Sequence, residues 1–160
     1  MNALKCNSID ITESVATKLD LAYQRVDDNE ISIVLMGEKT DYELTVILKA
    51  DYEIIYFSCD LDIVAPADKY ALITEAIVKV NERIWVGHFD LITNNNRIVY
   101  SLTIPFISSF LVDESIMESI MELISDECDK FSHYFLMILE TSDFSDFAIS
   151  TLFLDSAGEA

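Results

Sequence analysis

The sequence predicts an α+β fold: a five-stranded, largely antiparallel sheet with helices packed on it, in the order α-β-β-β-α-β-β-α-(α). Three observations carry that prediction. Five runs alternate apolar and polar side chains with a period of two, as strands with one buried face do. Other stretches place apolar residues at helical spacing instead. The links between neighbouring strand runs are a few residues long, which makes those neighbours antiparallel hairpins.

Residues 12–23 open the order as a short helix, because Ile11, Val15, Leu19 and Ala22 fall on one face. Asp27-Asp28-Asn29 then breaks the pattern as turn residues do. The first strand, 30–36, turns Ile31, Ile33 and Leu35 to one side. The second, 42–49, does the same with Tyr42, Leu44, Val46 and Leu48, and the third, 52–64, with Ile55, Phe57, Cys59, Leu61 and Ile63. Pro66 suits a helix entry, and Ile73, Ala76, Ile77, Val80 and Ile84 form the inner stripe of the helix that follows. Glu75 and Lys79 pair on its outer side.

Two more strands follow, 85–92 and 97–106, joined by Thr93-Asn94-Asn95-Asn96, where asparagine tolerates the left-handed conformation of a tight turn. The second carries Ile98, Tyr100, Leu102, Ile104 and Phe106 on one face, and Pro105 marks its end as a sheet edge. From Glu114 a long helix runs with Met117, Ile120, Ile124, Cys128, Phe131, Phe135 and Ile138 inward and Glu118, Glu122, Asp126 and Asp129 on a solvated side. Ser142 caps a final helix with Phe144, Phe147, Ala148 and Leu152 inside.

The 160 residues are expected to form a single domain over 1–160, with 155–160 a short tail. Hydrophobic residues make up 51%, enough for one core. Asp and Glu number 29 against 10 Lys and Arg, a net charge of −19. Such a chain repels phosphate backbones and anionic headgroups, so the reading is no nucleic acid and no membrane. No apolar run is long enough for a signal peptide or a span. The three cysteines, Cys6, Cys59 and Cys128, are odd in number and widely spaced. They read as reduced thiols of a cytoplasmic protein, two of them packed in the core.

Chemistry has few candidates. His88 and Asp90 lie two apart in a strand and share a face; with Cys59 they would make a thiol, imidazole and carboxylate set for a hydrolase or acyl transferase. Alternation argues otherwise, since Cys59 sides with Phe57 and Leu61, and Trp85, Phe89 and Leu91 would fill the core. No glycine-rich turn offers an oxyanion hole or a phosphate cradle. Neither HxxxH, CxxC nor a calcium loop occurs, so no metal and no cofactor is expected. High apolar content beside strong acidity, with adaptable Met36, Met117, Met121 and Met137, points to a surface that grips a second polypeptide.

The run Asn81-Glu82-Arg83-Ile84-Trp85-Val86-Gly87-His88-Phe89-Asp90-Leu91 resembles the signature of the bacterial YbjN family. Asp126-Glu127-Cys128-Asp129-Lys130-Phe131, Leu154-Asp155-Ser156-Ala157-Gly158-Glu159-Ala160 and Asp41-Tyr42-x-Leu44 are similar to further family segments, in the expected order. The chain departs from the family pattern at Ile107-Ser108-Ser109-Phe110 and at Leu139-Glu140-Thr141-Ser142. The resemblance implies a fold like that of type III secretion chaperones, which are small, acidic, cytoplasmic, commonly homodimeric and bind protein segments without chemistry. It also implies a sensory transduction regulator, and it gives Trp85, Gly87, His88, Phe89, Asp90 and Cys128 as signature residues without an assigned role. The expected function is therefore a non-enzymatic, chaperone-like or regulatory interaction module with a protein partner, working as a homodimer. The alternatives are a small-molecule sensor with an apolar pocket, or the thiol enzyme of Cys59, His88 and Asp90.

Overall fold

The computed structural model describes residues 7–106 and 112–140. The order is α1 (Ser8–Lys18), β1 (Tyr23–Asp27), β2 (Glu30–Met36), β3 (Asp41–Lys49), β4 (Ile54–Val64), α2 (Tyr70–Asn81), β5 (His88–Ile92), β6 (Arg97–Pro105) and α3 (Glu114–Glu140). The strands form one sheet in the order β1-β2-β3-β4-β6-β5, with every neighbouring pair antiparallel.

The sheet has six strands, not the five expected. The extra one is β1, within and just after the stretch read as the end of the first helix. Its sequence, YQRVD, is mostly exposed and shows no apolar alternation, so no period of two announces it. Main-chain pairing with β2 forms it, and Arg25 ties it to α1 through Asp10 and Glu13, each at 2.8 Å. The helix itself begins earlier than expected. Asn7 caps it, accepting from the Ile9 N–H, and Asp10 completes the capping box. Its buried face is accordingly Ile9, Thr12, Val15 and Ala16, while Leu19 and Ala22 of the expected stripe are exposed.

The alternation read in β2, β3 and β4 is the observed one, whereas in β6 Ile98 to Leu102 are buried without a break, Val99 and Ser101 included. Ile31, Ile33, Leu44, Val46, Ile55, Phe57, Cys59, Ile98 and Tyr100 all lie buried on one face of the sheet. The three helices cover that face. Ile73, Ala76, Ile77 and Val80 are the buried side of α2, and Met117, Met121, Ile124, Cys128, Phe131, Phe135 and Ile138 that of α3. Phe89 anchors the core's aromatic centre, edge-on to Tyr100, Phe131 and Phe135 at centroid distances of 5.2, 5.5 and 5.3 Å. The expected final helix from Ser142, the tail and Cys6 lie outside the described residues.

The opposite face is uncovered by these helices. One row across it reads Gln24, Ser32, Thr45, Ser58, Ser101 and His88, strand by strand. One member of the expected solvated stripe on α3 turns out to be structural. Asp129 accepts from the Tyr42 hydroxyl at 2.8 Å and from the Glu38 N–H at 3.1 Å, pinning the β2–β3 hairpin to the helix.

Candidate functional site

The signature segment is built from α2 outward. Asn81 ends that helix, and its side-chain amide clasps the main chain of Phe89. It donates to the Phe89 carbonyl at 2.9 Å and accepts the Phe89 N–H at 2.8 Å. The residues between must fold back as a tight loop. Gly87 makes the return with φ of +69°, a left-handed conformation that other residues adopt at a cost. A side chain there would also collide with the Tyr100 hydroxyl and come within 2.8 Å of the Ser101 carbonyl. The Tyr100 hydroxyl instead donates to the Val86 carbonyl at 2.6 Å. Burial pushes the Tyr100 phenol above its ordinary pKa, so it stays a donor.

Trp85 is held on this loop and is 98% exposed. The expectation that it fills the core is corrected, and so is the strand start at 85. β5 begins only at His88, because the αL residue Gly87 breaks the extended run. Val86, the residue after Trp85, lines an open apolar groove of about 310 Å³ together with Leu102, Ile104, Ile116, Ile120 and Leu123. It borders the far end of β6. Pairing with β5 stops at Ser101, so among the described residues, 102–105 have no strand on that side, and Pro105 lies at this locally unpaired border of an inner strand.

His88 and Asp90 pair through Nε2 and Oδ2 at 2.8 Å on the uncovered face, each side chain 52% exposed. Cys59 is buried on the other face, opposite Tyr100 and Leu44. The set of Cys59, His88 and Asp90 is therefore not assembled, and the sheet itself lies between thiol and imidazole. Cys128, also buried, faces Cys59. The hydrogen bond its thiol donates to that neighbour, and then burial, raise its pKa far above that of a free thiol. Among the described residues, no three His, Cys, Asp or Glu side chains gather as a metal site, and no helix is long and apolar enough to cross a membrane.

The signature residues thus divide by job. Gly87 and Phe89 hold the loop and the core, Cys128 packs beneath β4, His88 and Asp90 decorate the uncovered face, and Trp85 is presented to solvent. Asn81 and Tyr100, which hold the loop in place, were not singled out from the sequence. A carboxamide at the end of an apolar helix stripe, just before a Gly-containing strand entry, is the signal that points to Asn81.

The YbjN family model, described as "Putative bacterial sensory transduction regulator", matches residues 8–137. The chain belongs to the YbjN family. A chain of the crystallised ExsC-ExsE complex resembles this YbjN protein with a TM-score of 0.50. The likeness covers 88% of this chain and 98% of that one at 12% identity, and it shows the shared fold. No curated protein matches the YbjN chain.

Proposed function

We propose that this YbjN protein is a non-enzymatic interaction module that grips a polypeptide partner, works as a cytoplasmic homodimer and acts as one domain from end to end. Trp85 carries the reading. An indole left 98% exposed costs solvation free energy in the free chain, yet a helix-end amide, a left-handed glycine and a buried tyrosine all fix its loop. An aromatic on a fixed loop, one residue from Val86 in the lining of an apolar groove, suits a binding hot spot, where truncation costs about 2 kcal/mol or more. The chain that shares the fold was crystallised in a complex of two named proteins, which agrees with a module whose work is holding another chain.

The test is capture from the native cell with the wild-type chain and with Trp85→Ala, alongside light scattering of both. The reading expects a retained protein or a dimer with the wild type and its loss with the variant. A strictly monomeric chain that retains nothing overturns it.

A further inference from the structure

We infer that a second groove, between the end of α1, the end of β2 and the outer side of α3, receives a basic, aliphatic segment of the partner protein. This rests on the interaction reading above and names the partner's chemistry at a different surface. The groove holds about 360 Å³. Its floor is apolar, with Leu35 and Met121 buried and Leu21 half-buried. Met36 stands at its side 68% exposed, an unbranched, polarizable side chain that adapts to what lies on it. Its rim is acidic, made of Glu118, Glu122 and Asp126 on successive turns of α3.

Charge selects the occupant. Two of the chain's arginines satisfy other acids: Arg25 bridges Asp10 and Glu13, and Arg97 bridges Asp60 and Asp62. Within the groove Lys18 neutralises Glu118 at 2.8 Å. Among the described residues, Glu122 and Asp126 have no ion pair, and both are exposed. They sit four apart on one helix face, where like charges repel. A partner side chain of Lys or Arg between them relieves that repulsion, while a neighbouring Leu, Ile or Met reaches the floor. A second copy of the chain would bring −19 more charge to an already negative face and is disfavoured there.

The test selects short random peptides displayed on phage against the full wild-type chain. Each winner is then titrated against wild type, the double variant Glu122→Lys with Asp126→Lys, the milder Glu122→Gln with Asp126→Asn, and Trp85→Ala. Winners are expected to combine Lys or Arg with Leu, Ile or Met. Their affinity should fall about tenfold or more on charge reversal and less on neutralisation, weaken as salt rises, and hold in Trp85→Ala. Neutral or acidic winners, or binding indifferent to both double variants, overturn the inference, as does the absence of any winner. Binding lost only in Trp85→Ala overturns it while leaving the interaction reading standing. Because both acids are exposed, the double variants fold, and a melting curve for each confirms that a lost signal is lost contact.

Discussion

The Tyr100 hydroxyl donates to the Val86 carbonyl at 2.6 Å, so a single bond joins the middle of β6 to the loop that presents Trp85. Tyr100→Phe removes the donor and keeps the ring against Phe89. The expected cost is about 1–2 kcal/mol of unfolding free energy, since the Val86 oxygen loses its partner. Trp85 is the chain's sole tryptophan, so its fluorescence anisotropy reports the loop directly. Anisotropy should drop in the variant. Unchanged anisotropy would show that the bond does not hold the loop.

Gly87→Ala tests the same loop through the main chain. The left-handed φ of +69° and the approach of the Ser101 carbonyl to a new Cβ both oppose the substitution. Together they should cost about 2–4 kcal/mol, read as a lowered denaturant midpoint. A midpoint equal to wild type would mean the loop relaxes freely, and the case for a fixed Trp85 would fall with it.

Where one side of an element is buried and the other wet, the sequence made the fold legible. The alternation in β2, β3 and β4 and the stripe on α2 are the observed burial patterns. β1 was not legible because its stability comes from a neighbour's main chain and from Arg25, not from its own apolar side chains. The place of Trp85 was not legible either. Period-two counting carries a strand backward through Gly87, whereas the chain's turn there depends on Asn81 and Tyr100, which lie outside the loop that they hold. The sidedness of Cys59 and His88 could be read, since parity along paired strands settles which face each takes.

Buried thiols should be inert. Cys59 and Cys128 have no exposed surface, and the Cys128 thiol is held protonated by its bond with Cys59 and by burial. Iodoacetamide should label neither in the folded chain and both in denaturant, as peptide mass mapping would read. Rapid native labelling of Cys59 would reopen nucleophilic chemistry at that position.

Glu127 gives a pH dependence. Burial first, and then the neighbouring charge of Asp126, raise its carboxyl pKa, and its Oε2 is buried without a hydrogen-bond partner. A carboxyl raised on folding adds stability below its ordinary range and loses that contribution as pH climbs through the raised value. At neutral pH the charged form is a burden. Glu127→Gln should therefore melt higher than wild type at neutral pH, with the gain shrinking as pH falls into the carboxylate range. A gain that is constant with pH would assign it to packing and not to charge.

The clasp of Asn81 on Phe89 also decides how the sheet ends. Because both Phe89 main-chain groups turn away from β6 to meet that amide, only Leu91 shares their outward direction within the five residues of β5. One helical side chain thus stands in for a seventh strand and stoppers the border at its middle. Foreign chains find no continuous ladder there to zip onto, which protects the molecule from stacking into fibres by that margin.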